Sequence, residues 1–172
     1  MRPFPNDELL FDYKLSDLVR YNHRHKIKNE SVAEHSYYVT LFCLKICSFY
    51  KFDDKTTSRI LAKAILHDLP EIETSDIPYN VKQNMPALAQ LLGEAETAFY
   101  RKHYSELYDI IYDGNELEDL VVKYADALSV MQYCLNELEL SPGNKDFLAI
   151  KQDTTERLNK LRKEIDTYAK KQ

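Results

Sequence analysis

The sequence is poor in the residues that break a chain: 172 residues hold three glycines and six prolines, so long uninterrupted segments are expected. Cysteine is scarce as well. Three cysteines, an odd number, suit a reducing compartment. No apolar run approaches the roughly 18 to 20 residues that span a bilayer, and Met1 to Pro5 with the acidic residues after it does not read as a signal peptide. No membrane partner and a cytoplasmic location are therefore expected. Basic charge is the minority, 23 Lys and Arg against 28 Asp and Glu, which leaves no general field for a polyanion. A nucleic-acid polymer is not the expected partner, although a local basic pocket is compatible with this balance. The length is that of one ordinary domain.

What the sequence does have is apolar residues at helical spacing, and the expected fold class is all-α. A first helix is expected from about Asp7 to Tyr21, with Leu10, Leu15, Leu18 and Val19 inward. A basic loop, Asn22 to Glu30, follows. Ser31 with Glu34 three residues on forms a capping box, so a helix should start there and run to about Tyr50. Asp53 and Asp54 can cap the next, from about Lys55 to Leu69, ahead of Pro70. Glu73 to Pro86 reads as loop with short helical turns. Helices follow over about Ala87–Tyr104, Glu106–Tyr112 and, after Asp113-Gly114-Asn115, Glu116–Leu140. Beyond Ser141-Pro142-Gly143, a charged amphipathic helix to about Lys170 is expected to serve packing or an oligomer contact. Cys43 and Cys47, four apart on an apolar helix, suit packing better than metal binding.

Three of these helices carry metal-ligating residue types on apolar stripes. His35 is followed at helical spacing by Val39, Phe42 and Ile46, so it faces inward. His67 and Asp68 end the run Ile60, Leu61, Ala64, Ile65, presenting an imidazole and a carboxylate to the core from one turn of that helix. Asp126 lies one turn from Val122 on one side and Val130 on the other, where a carboxylate needs a partner. A single histidine on an apolar face is more often a satisfied core residue than a ligand. The set reads either as a hydrogen-bond network or as a site where one divalent cation satisfies all four groups.

In order and spacing, His35, His67-Asp68 and Asp126 resemble the H…HD…D signature of the HD-domain phosphohydrolases. Wider segments are similar to bacterial 5′-deoxynucleotidases and, in much of the same frame, to small phage dATP triphosphohydrolases: Arg20-Tyr21, residues 29–36, 67–78, 81–82 and 123–128. The resemblance covers about residues 15 to 150. It implies an HD-type helical bundle in a single domain, with His35, His67, Asp68 and Asp126 holding one divalent metal. Imidazole and carboxylate ligation suits Mn²⁺, Co²⁺, Fe²⁺, Ni²⁺ or Zn²⁺ without choosing among them. It further implies that Glu71 handles the attacking water or the leaving group, that Thr74 and Asp76 assist at phosphate and sugar, and that Arg20 binds phosphate. Lys82 and Lys123 would add positive charge. Dinuclear relatives use further histidines, and His23, His25 and His103 match none of those positions.

The implied activity is removal of the 5′-phosphate from deoxyribonucleoside monophosphates by a homo-oligomeric enzyme. The alternatives are a dNTP triphosphohydrolase of the phage kind and a catalytically degenerate HD protein that only binds nucleotide. One departure stands out: the deoxynucleotidases carry Arg-Trp where this chain has Arg20-Tyr21, and the chain has no tryptophan. That aromatic is implied to crowd the sugar 2′ position, so Tyr21 is the position on which preference for deoxyribose turns.

Overall fold

A computed structural model describes residues 11–112 and 114–169; of Asn80 it describes the backbone only. Among the described residues the regular structure is helical, and the only pairing of extended backbone is an isolated antiparallel bridge, Val19 with Ser31. The helices are α1 (Val32–Tyr50), α2 (Asp54–Leu66), α3 (Glu71–Thr74), α4 (Tyr79–Asn84), α5 (Pro86–His103), α6 (Tyr108–Tyr112), α7 (Glu116–Leu140) and α8 (Lys145–Ala169). None is long and apolar enough to cross a membrane.

Local chemistry sets several boundaries. Ser31 accepts from the Glu34 N–H at 3.1 Å while Glu34 accepts from the Ser31 N–H at 2.8 Å, so the capping box at the start of α1 is complete. Asp53 caps α2 through the Thr56 N–H, and Asn115 caps α7 through the Leu117 N–H. Gly114, just before α7, has no room for a side chain: a Cβ there would stand 2.0 Å from Lys63 Nζ. That ammonium is buried between Asp119 at 2.6 Å and Glu118 at 3.2 Å, an ionic link between α2 and α7.

Two expected elements differ. The helix expected over Asp7–Tyr21 is confined, within the described residues, to positions 11–16, of which Tyr13–Ser16 form a 3₁₀ turn; Asp7 to Leu10 lie outside the description. The competing interaction is long-range: Val32 N–H donates to Leu18 C=O at 2.8 Å and Arg20 N–H to Glu30 C=O at 2.9 Å, which keeps this stretch extended. Tyr21 then takes a left-handed backbone, φ 57°. The second difference is at α2, which ends at Leu66 rather than Leu69. His67-Asp68 therefore lie in a turn, not in the helix, and Pro70 stands at the N-cap of α3. The Tyr100 hydroxyl donates to the Leu66 carbonyl, satisfying the freed helix end.

The main core lies between α1, α2, α7 and α8, around Val39, Ile60, Ala64, Val121, Ala125 and Ile165, all fully buried. Cys43 and Cys47 belong to it as free thiols. A second cluster joins Leu15 and Val32 to Leu66, Leu69 and Phe99; a third packs Tyr133, Cys134 and Phe147. His35 and Asp126 are carried on two of the four helices of the main core, and His67-Asp68 follow directly on a third.

Candidate metal and phosphate site

The three sequence segments converge. His35 Nε2 lies 3.3 Å from Asp126 Oδ1 and 3.5 Å from Asp68 Oδ2, and His67 Nε2 lies 3.1 Å from the same Asp68 oxygen. One ligand atom each from His35, His67 and Asp68 falls within 4.8 Å of the others. The two imidazole rings are 5.4 Å apart. Each Nε2 is buried and faces the carboxylate oxygens of Asp68 or Asp126, so one cation would satisfy these buried nitrogens and oxygens together. Two imidazoles and the Asp68 carboxylate, with Asp126 against His35 beside them, are donors of the kind that suit a divalent transition cation, and the cluster is a candidate metal site.

The remaining nitrogens fix how the rings are presented. His67 Nδ1 is 2.8 Å from the Ala64 carbonyl, so it carries a proton and leaves Nε2 as the nitrogen available to a cation. His35 Nδ1 contacts Ser129 Oγ at 3.0 Å and Arg20 Nη1 at 2.6 Å. Arginine only donates. With a cation held at His35 Nε2, the ring proton would sit on Nδ1, where Ser129 Oγ could accept it and Arg20 would give up its contact.

The electrostatics sort the acids into two kinds. Burial opposes ionisation of Asp68 and Asp126, but the neighbouring histidines, with Arg157 at Asp126, hold both well below the usual carboxylate range. Burial lowers His67 too, yet the Asp68 carboxylate outweighs it and pushes the ring up to about 9. His35 is held low by burial and by Arg20. Glu71 goes the other way from its neighbours: burial, then Asp68 and Asp76, push its carboxyl up to about 9, and its Oε2 is buried without a hydrogen bond.

The other expected residues are placed as follows. Arg20 is 9% exposed, paired with Glu30 at 2.8 Å, and lies over the Tyr21 ring. The Tyr21 ring stacks on Tyr133 at 5.0 Å and meets Phe147 edge-on, while its N–H donates to Asp76. Thr74 donates to the Pro70 carbonyl of its own turn at 3.3 Å. Lys82 is close enough to Glu71 to favour its ionised form. Lys123 is exposed and, with His67 and Asp126, lines a cavity of about 280 Å³ floored by Leu66, Tyr100 and Val122. A larger hollow of about 400 Å³, lined by Gln90, Glu94 and Arg101 of α5, contains none of these groups.

Four residues at the site had no forecast from the sequence: Ser129, Glu30, Glu96 and Arg157. Ser129 lies three residues after Asp126, so it shares the face that meets α1, a signal that helical spacing could have yielded. Glu96 faces the Lys82 and Asp68 charges from α5, with its pKa raised chiefly by burial. Arg157 Nη2 is 3.0 Å from Asp126 Oδ2.

A helical domain that brings a His, a His-Asp pair and an Asp together in this order is an HD-type hydrolase. Structures of that class share the fold. A Listeria innocua HD-domain phosphohydrolase superposes with a TM-score of 0.74 at 20% identity, covering 92% of this chain and 81% of the other. A cyanophage S-2L HD phosphohydrolase, solved with dA and one catalytic Zn²⁺, gives 0.68 at 17% identity, covering 95% of this chain and 96% of the other. The family model described as 5′-deoxynucleotidase YfbR-like matches residues 10–171, and the chain belongs to that family. A 5′-deoxynucleotidase of Enterobacter sp. (strain 638) is 32% identical over 83% of this chain and 77% of its own. A 4′-phosphooxetanocin A phosphatase of Priestia megaterium is 26% identical over 88% of this chain and 82% of its own.

Proposed function

We propose that this chain removes the 5′-phosphate from deoxyribonucleoside monophosphates, using one divalent cation held by His35, His67, Asp68 and Asp126. The observation that carries the reading is the pair of buried Nε2 atoms facing two carboxylates held ionised, with Glu71 beside them kept largely protonated. The metal, when bound, supplies Lewis-acid stabilisation of the phosphoryl oxygens and a more acidic water. The chain's own residues do the rest. Glu71 holds a proton at a buried carboxyl and can deliver it to the departing 5′-oxygen, or take one from water once ionised. Arg20, fixed by Glu30, orients the phosphate with the N–H groups it does not spend on that pair. Lys82 and Lys123 add charge at the edge, Thr74 and Asp76 meet phosphate and sugar, and Tyr21, made rigid by its stack on Tyr133, crowds the sugar 2′ position.

One observation favours a triphosphate substrate: the cavity opening on His67 and Asp126 carries Lys123, which gives room and charge for further phosphates. Phosphate release from dNMPs, NMPs and dNTPs, with Mn²⁺, Co²⁺ or Zn²⁺ and with or without pyrophosphatase, separates the readings. The expected result is dNMP turnover with roughly 10- to 100-fold preference over the ribonucleotide in kcat/KM, the range a pocket excluding one hydroxyl achieves. Release from dNTPs alone establishes the triphosphohydrolase. Equal kcat/KM for dAMP and AMP removes deoxyribose selection and Tyr21's part in it.

A further inference from the structure

The terminal helix brings a cation to the site that the roles above leave unused. Arg157 sits on α8, whose rotation is fixed by the buried Thr154, Leu161 and Ile165. Its Nη2 reaches Asp126 Oδ2 at 3.0 Å, while the other oxygen of that carboxylate faces His35 Nε2 at 3.3 Å. Its guanidinium lies 5.6 Å from the ring centre of Tyr79, an exposed residue of α4. The Arg157 side chain is 34% exposed, against 11% for Arg20, which is tied to Glu30 and His35. Of the two guanidiniums at the cluster, Arg157 is the one with a solvent-facing edge.

We propose that Arg157 is a second phosphate-binding arginine, its guanidinium bridging Asp126 Oδ2 and an oxygen of the substrate phosphoryl group. This rests on the phosphohydrolase reading. A guanidinium has five N–H donors in one plane, so one edge can stay on the carboxylate while another meets a planar or tetrahedral oxyanion. Charge points the same way. An arginine this close to a cation site opposes cation binding until an anion arrives to offset both charges, so the arrangement couples metal and phosphate instead of serving metal alone. Tyr79 gives the guanidinium a flat surface to rest on without consuming a donor.

The test is direct binding of inorganic phosphate to Co²⁺-loaded protein by calorimetry, together with Co²⁺ affinity measured separately. Arg157→Ala and Arg157→Gln should each weaken phosphate binding at least 10-fold, and Arg157→Lys should recover only part of the loss. Co²⁺ affinity should be unchanged or tighter in Arg157→Ala, because a repelling charge has gone; an arginine that merely held Asp126 in place would loosen it. Lys160→Ala, one turn along at an exposed position, should leave phosphate affinity unaltered. Unchanged phosphate affinity in Arg157→Ala, a 10-fold loss of Co²⁺ affinity, or an equal loss in Lys160→Ala overturns the assignment. These readouts need no turnover, so an absence of nucleotidase activity in the unmodified protein refutes the proposed function while leaving Arg157 separately testable.

Discussion

Metal uptake at neutral pH should expel protons, and the structure says from where. His67 is pushed up to about 9, so in metal-free protein at pH 7 its ring is almost fully protonated. The Nδ1 proton is held by the Ala64 carbonyl, so the Nε2 proton is the one that must leave for coordination. His35, Asp68 and Asp126 are all shifted down and contribute none. Glu71, also near 9, gives up a second proton where the cation's charge ionises it. The expected release is between one and two protons per ion. Displacing the His67 proton at pH 7 costs about 3 kcal/mol, two pH units at ~1.4 kcal/mol each, so apparent affinity should rise ~10-fold per pH unit for each proton released until the pH reaches about 9. The stability of the metal-free fold runs in the opposite sense. A raised histidine stabilises it fully below the ordinary value of 6.5 and loses that contribution as pH climbs through about 9. Calorimetric titration with Zn²⁺ in buffers of different ionisation enthalpy, from pH 6.5 to 8.5, reads the proton count. A flat affinity with no buffer dependence would refute His67 as a charged ligand displaced by metal.

Two further outcomes test the chemistry and its scaffold. Glu71→Ala should keep its metal and lose roughly 10² to 10⁴ in kcat, the size of a positioned acid or base, whereas Asp68→Ala should lose metal; a Glu71→Ala variant with normal turnover removes that carboxyl from the mechanism. Glu137 is fully buried and accepts from the Ile27 and Lys28 N–H groups at 2.8 and 2.7 Å, fastening the loop that follows Arg20 and Tyr21. Glu137→Gln turns one acceptor into a donor facing an N–H and should cost about 2 to 4 kcal/mol in urea unfolding; a change below about 1 kcal/mol would mean the loop is held by other contacts.

The parts of the fold legible in the sequence are those whose cause is local. The capping box at Ser31, the Asp53 cap and the Asn115 start of α7 involve residues two or three apart, so the reason and the residues lie in the same short window. The misread segments had a distant partner instead. Leu15, Leu18 and Val19 carry a helical period, but the backbone of 18–20 is claimed by residues 30–32. Leu66 ends α2 with its carbonyl taken by Tyr100, 34 positions away.

The same division runs through the site. Histidines and aspartates on apolar stripes betray themselves, because a polar group there needs a partner. Arg157 does not, since it stands in α8 among lysines and glutamates that mostly face solvent. From the sequence, the stripe through Leu158, Leu161 and Ile165 puts Arg157 only at the border of the buried face. Which neighbour it meets depends on where α8 lies along α7, and that register comes from Phe147 filling the space beside Tyr133 and Ile165 reaching the main core. A one-turn slide, about 5.4 Å, would set Lys160 or Thr154 opposite Asp126 instead. The identity of this cation is therefore a property of core packing at both ends of the helix.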